Sequence, residues 1–217
     1  RTRSAILDAA LGLFEERGYD ATTMRAIADR AGVSVGNAYY YFDSKEQLIQ
    51  SFYDRAAEQH LAASADRLAG MTDLGERISA HLDVWFDLMG QYHQFAAEFF
   101  RTAADPASPM SPFSRESTPA RDAAIARWRG VVEDADTPIP EHLRDALPEV
   151  LWLYHMGLIL FWVHDGSADQ MATRLAIART VPLVTRAIGL ADVPELRGLT
   201  DDLIALLGDV KRLLPPR

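Results

Sequence analysis

Six histidines (His60, His81, His93, His142, His155, His164) and 31 acidic residues are the side chains of this 217-residue chain that could move protons or hold a metal. Their spacing supports neither role. His81 lies near Asp83 and Asp87, and His164 adjoins Asp165, but no pair has the two-histidine spacing of an H-E-x-x-H site. There is no G-x-S-x-G elbow and no phosphate-cradling glycine loop, because the glycines are scattered at helix ends. Cysteine is absent, which excludes a disulfide framework and a thiolate metal site. The reading is therefore of a protein that is not an enzyme, with no cofactor and no metal. A different chemistry, the recognition of base edges and phosphates, is legible between Thr23 and Lys45.

That segment reads as two short helices around Gly32-Val33-Ser34. Thr23 is placed to N-cap the first helix by accepting a hydrogen bond near Ala26. Gly32 suits a left-handed C′ position, Val33 plugs the turn, and Ser34 caps a second helix from Val35 to Tyr41. Ala38 and Phe42, four apart, face inward. Val35, Gly36, Asn37, Tyr39 and Tyr40 are left wholly or partly outside. An exposed Val-Gly-Asn followed by tyrosines makes little sense on a solvated face and good sense against DNA. A short helix, a glycine turn and a second short helix form a helix-turn-helix, whose second helix enters the major groove.

On Gly18-Tyr19, Thr23, Ile27-Ala28, Ala31-Gly32-Val33-Ser34, Gly36, Tyr39, Phe42 and Ser44-Lys45-Glu46, the chain resembles the TetR family of bacterial transcriptional regulators. The resemblance covers roughly the first quarter of the chain. It implies phosphate contacts from Thr23, Tyr39 and Lys45, each a donor beside a helix amino terminus or groove edge. Val35, Asn37 and Tyr40 are expected at base edges, Arg25 at either, and Ser34, Gly36 and Tyr41 complete the DNA-binding set. The resemblance also implies that the last long helices pair two copies in a four-helix interface.

Charge first argues against DNA, since the net value is −9. Residues 1–53, however, carry six basic and seven acidic groups, so the acidity lies in the remainder. Modest non-specific affinity follows, because that term comes mainly from phosphate neutralisation. The expected fold is all-α. Residues 1–46 form the three-helix DNA-binding domain, and 47–217 a helical ligand-binding and dimerisation domain. A helix is expected over about 4–17, a long one from Lys45 towards Gly70, and further ones over about 74–92 and 94–104. A Ser- and Pro-rich loop over 104–119 follows, then helices over about 120–134, from Pro148 to near 165–166, over 168–188 with a kink at Pro182, and from Pro194 to near Leu214. No signal-peptide pattern is read at Arg1-Thr2-Arg3, and the longest apolar run, 151–163, falls short of the roughly 20 residues of a membrane span. A cytoplasmic protein with no membrane association is expected.

The helix after Pro148 is apolar all round, so it needs cover on more than one side. Tyr154, Gly157, Leu158 and Phe161 are read as the face towards a second subunit; a large monomeric core is the alternative. Trp152, His155, Met156 and Ile159 face the interior, with Trp85, Met89, Tyr92, Phe99 and Trp128 from earlier helices. Together they form an aromatic and thioether lining for a small molecule, with His155 its polar handle. Plain core packing is the competing explanation. The whole reads as a ligand-responsive homodimeric regulator of a palindromic DNA operator, most simply a repressor released by a largely apolar effector. An activator or orphan regulator on the same scaffold without small-molecule control is the alternative, with a small helical enzyme ranked behind it.

Overall fold

The structure is a computed structural model. It describes residues 1–104, 108 and 111–213, and within these not the side chains of 95, 97–99, 101, 102, 196, 203 and 210–213. The described elements are helical: α1 (Thr2–Arg17), α2 (Met24–Ala31), α3 (Val35–Tyr41), α4 (Lys45–Leu68), α5 (Leu74–Gly90), α6 (His93–Ala104), α7 (Thr118–Glu133), α8 (Glu141–Arg144), α9 (Leu147–Val163), α10 (Met171–Leu190) and α11 (Pro194–Leu213).

α1 buries Ile6, Ala10, Leu13 and Phe14, which recur at three-and-four spacing on one face. It stops at Gly18, whose φ of 80° suits glycine. The Thr22 hydroxyl donates towards the carbonyls of Gly18 (2.8 Å) and Leu13 (3.2 Å), tying the next turn to the end of α1. Ile27, Ala28, Ala38, Phe42 and Leu48 complete this small core. Each large apolar side chain buried there contributes about 1.5–3 kcal/mol.

α4 starts at the Ser44 cap, whose hydroxyl accepts from the Gln47 amide. Its 24 residues span about 36 Å at 1.5 Å per residue. One end packs in the amino-terminal core through Leu48, Ile49 and Phe52, and the rest lies along α5. α5 also packs on α10, and α7 on α9. Among the described residues no helix is long and apolar enough to cross a membrane.

Arg77 of α5 is an anchor that the sequence reading missed. It is buried and donates to the carbonyls of Val131 (2.8 Å), Met71 (2.7 Å) and Gly130 (3.0 Å), and to Asp134 (3.1 Å). A guanidinium thus satisfies carbonyls at the end of α7, where the helix dipole also favours a cation. Arg77→Ala is expected to lower stability by about 2–4 kcal/mol, because these carbonyls lose charged donors in a dry site. Chemical denaturation measures it; a loss below about 1 kcal/mol would show that water replaces the guanidinium freely.

Helix ends differ from expectation where prolines and caps decide them. Pro119 stands at the start of α7, where a missing N–H costs nothing, so the helix begins at Thr118 and not at Ala120. α5 stops at Gly90 and α9 at Val163, both earlier than expected. Beyond α9, the Asp165 carboxylate accepts from the amides and hydroxyls of Ser167 and Thr173, between 2.6 and 2.9 Å. Burial alone would raise its pKa, but these four bonds hold it well below the usual carboxylate range. Asp165 is therefore a capping group for the first turn of α10. α10 itself continues through Pro182.

Candidate nucleic-acid interface and ligand cavity

The helix-turn-helix has the caps expected of it. Thr23 Oγ1 accepts from the Ala26 amide at 3.2 Å, and Ser34 Oγ from the Asn37 amide at 3.1 Å. Gly32 adopts φ 69°, ψ 31°, and its amide reaches back to the carbonyls of Ala28 and Asp29. Ala38 and Phe42 are fully buried, which fixes the rotation of α3. Gly36, Asn37, Tyr39 and Tyr40 then stand in solvent, Tyr40 with 81% of its surface exposed, while Val35 and Tyr41 are half-buried. The Tyr40 and Tyr41 rings meet edge to face at 5.2 Å, which limits both. The Asn37 side chain makes no hydrogen bond among the described residues. Thr23, Arg25 and Ser34 are exposed alongside.

Lys45 has a second task. Its ammonium donates to the Tyr19 carbonyl at 2.7 Å and lies 4.2 Å from the centre of the Tyr19 ring. The Tyr19 hydroxyl donates to Glu46 at 2.9 Å. Burial first, and then the Glu46 carboxylate, raise the Tyr19 pKa and keep it a donor. Lys45 thus ties the end of α1 to the start of α4, leaving other N–H groups for a phosphate. Arg3 is also engaged, donating to Ser51 Oγ at 2.6 Å and covering Phe42.

Helices α4, α5, α6, α7 and α9 enclose a cavity of about 570 Å³. Trp85, Met89, Tyr92, Trp128, Trp152, His155, Met156 and Ile159 all line it, as the sequence pattern predicted. The side chain of Phe99 lies outside the described residues. The Ser- and Pro-rich segment contributes Ser111, Pro112 and Phe113, with the exposed Phe113 ring 5.6 Å from Trp152. A volume of this size with an aromatic wall suits a small organic molecule.

His155 is not the lone histidine that the sequence suggested. Its ring lies 6.3 Å from that of His81 and 6.5 Å from that of His60, and the His60 and His81 rings are 4.4 Å apart. Trp85 and Trp128 flank it at 5.0 and 5.9 Å. His60 Nε2 and the His81 carbonyl are 3.0 Å apart, so that nitrogen carries the proton. His81 Nδ1 and His155 Nε2, on rings of residues only 2% and 5% exposed, have no hydrogen-bond partner among the described residues. Burial lowers the pKa of His60 to about 4 and of His155 to about 3, and pushes His81 well down; the charge of Arg127 adds to this at all three, and repulsion from His60 at His81 and His155. Burial thus favours the neutral imidazole in all three. His60, His81 and Arg127 are among the lining residues that the sequence reading missed. No group of ligating side chains able to hold a metal occurs among the described residues.

Of the residues read as a subunit contact, Leu158 is corrected: it is 6% exposed and packs in the core of its own chain. The Tyr154 hydroxyl is 2.5 Å from that of Thr180 and joins α9 to α10. Gly157 and Phe161 remain open, with Phe161 47% exposed. Sequence reasoning erred because α9 is apolar all round, so periodicity could not separate an inward from an outward side. α10 adds Met171, Leu175, Leu183 and Leu190, all exposed within one sector of the helix.

An exposed reading helix, carried on a helical body that encloses an apolar cavity, defines a helix-turn-helix regulator. Residues 6–52 match the family described as bacterial regulatory proteins, tetR family, and residues 77–206, more than half of the chain, match the tetracyclin repressor-like C-terminal domain. The chain belongs to the tetR family. It is 46% identical over 67 residues to the HTH-type transcriptional repressor KstR of Mycolicibacterium smegmatis, covering 31% of this chain and 32% of that protein. Against the HTH-type transcriptional regulator UidR of Escherichia coli K12 it is 31% identical over 90 residues, 42% of this chain and 46% of UidR. These matches thus span less than half of either relative. Likeness of fold reaches further. A TetR regulator from Nitrosomonas europaea superimposes with a TM-score of 0.65 at 22% identity, covering 83% of this chain and 96% of that one. FadR from Bacillus subtilis, solved in complex with stearoyl-CoA, gives 0.62 at 17% identity, over 82% and 96%.

Proposed function

We propose that the protein is a cytoplasmic, homodimeric repressor that reads a palindromic DNA operator with α3 and leaves it when a small, largely apolar molecule fills the cavity. The observation that carries this is the course of α4. Its first turns pack against α1 in the amino-terminal core, where Leu48 and Ile49 are buried, and its later turns line the cavity with Tyr53, Ala56 and His60. A ligand favouring one placement of α4 shifts the spacing of two reading heads. Such a coupling is typically about 1–3 kcal/mol and can be no larger than the ligand's difference in affinity for the two states. Two copies are supported by the open apolar side chains of α9 and α10, a patch of the kind that marks an interface.

Within the reading head, Thr23, Tyr39 and Lys45 hold phosphates, Val35, Asn37 and Tyr40 meet base edges, and Arg25 extends the contact. The test is selection of bound duplexes from a random library, followed by titration of the selected site. A two-fold symmetric sequence is expected. Asn37→Ala should then relax one base position per half-site, costing about 1–3 kcal/mol there. Equal weakening on selected and random DNA would remove Asn37 as a reader, and an unsymmetrical site would remove the palindrome.

A further inference from the structure

The charge lining the cavity is the reverse of the charge on the chain. The protein carries 31 acidic residues and a net charge of −9, yet among the described residues no aspartate or glutamate lines the chamber. Its charged and titratable lining consists of Arg121, Arg127, the three histidines and the tyrosines Tyr53 and Tyr92. Arg121 spends its hydrogen bonds on neutral oxygens, the carbonyls of Pro112 and Ser114 and the Thr118 hydroxyl, so no acid cancels its charge. Arg127 makes no hydrogen bond or ion pair among the described residues. It is partly buried, and its charge reaches all three histidines. An unpaired cation in a partly dry wall is costly, and an anion is what relieves that cost. The same chamber holds the unpartnered His81 Nδ1 and His155 Nε2. A neutral imidazole has one N–H to give, and a buried ring without a partner has paid for desolvation with nothing in return.

We propose that the cavity recognises an apolar molecule bearing a single oxyanion, a carboxylate or a phosphate monoester, with the anionic head at Arg127 and the neighbouring histidines and the apolar body along Trp85, Met89 and Met156. This rests on the reading of the cavity as an effector site and gives that effector its chemical class. Arg127 supplies charge, and the neutral histidines supply hydrogen-bond donors without adding repulsion. A neutral ligand of the same shape would leave the guanidinium unpaired, and a cationic one would meet two arginines with no counter-charge among the described residues.

Four ten-carbon probes on the full chain test it by calorimetry at pH 7: decanoate, decyl phosphate, decanol and decylamine. At least one of the two anions is expected to bind tenfold or more tightly than decanol, and decylamine not measurably. Which anion binds better separates a carboxylate effector from a phosphate one. Arg127→Gln should erase the preference for the anion while leaving the decanol affinity within about threefold, and Arg127→Lys should retain most of it. Decanol binding as well as both anions overturns the anionic class but leaves the cavity as a ligand site. An equal fall for acid and alcohol in Arg127→Gln also overturns it. Failure of all four probes, and of a neutral aromatic dye added as a control, overturns this inference and the effector reading together. The ranking in the unmodified protein remains decisive even if the glutamine variant does not fold.

Discussion

Gly157→Arg is expected to convert the protein to a monomer at micromolar concentration and to weaken operator binding by about 10²–10⁴-fold, the usual worth of joining two binding events. The position lies outside the packed core, at the edge of the cavity lining. Gly157 is exposed, and a Cβ added there meets nothing within 4 Å in the chain itself. An arginine on a single copy therefore reaches open space and costs little. In the proposed dimer the same side chain would meet a close helix crossing and be buried without a counter-charge. Phe161, one turn further on, and the stripe of Met171, Leu175, Leu183 and Leu190 on α10 extend this surface. Sedimentation velocity gives the stoichiometry, and anisotropy on the selected operator gives the affinity. An intact dimer from this variant would place the interface elsewhere, and Phe161→Glu provides a second reading of the same face.

The reading head was legible in the sequence because local rules alone build it. Thr23, Gly32 and Ser34 act within three residues of themselves, and the burial of Ala38 and Phe42 follows from their four-residue spacing. The aromatic lining was legible as well, since Trp85, Met89, Trp128, Trp152 and Met156 repeat on helix faces. What escaped depends on contacts distant in sequence. His60 and His81 lie on different helices, and nothing in either segment announces that their rings meet. Arg77 looks like an ordinary surface charge until the end of α7 brings two carbonyls and the Asp134 carboxylate to it. Lys45 was read as a phosphate ligand from its position, but its hold on Tyr19, 26 residues away, needed the fold. Leu158 failed for the opposite reason: on a helix without a polar side, spacing carries no direction.

Filling the chamber should silence the response without harming the reading head. Trp128 is nearly fully buried and packs edge to face on His81 at 4.4 Å, so its removal would cost about 3–5 kcal/mol and confuse folding with response. Ala124, one turn earlier on α7, lines the cavity and is only half-buried. Ala124→Trp adds an indole to a space of about 570 Å³ and leaves existing contacts in place. The affinity of whichever ten-carbon probe binds the parent is expected to fall at least tenfold, because the new ring takes volume that the ligand needs. Operator affinity without ligand should stay within about threefold, since α7 packs chiefly on α9, α5 and α4. Operator release by the probe should then disappear at concentrations that release the parent protein. A ligand can shift the equilibrium between binding and non-binding forms only by its preference for one of them, so a ligand that no longer binds shifts nothing. Calorimetry on the free protein and anisotropy on the operator complex separate the two effects. Unchanged probe affinity in the Ala124→Trp protein would place the binding site outside this chamber, and with it the proposed role of α4 would fall.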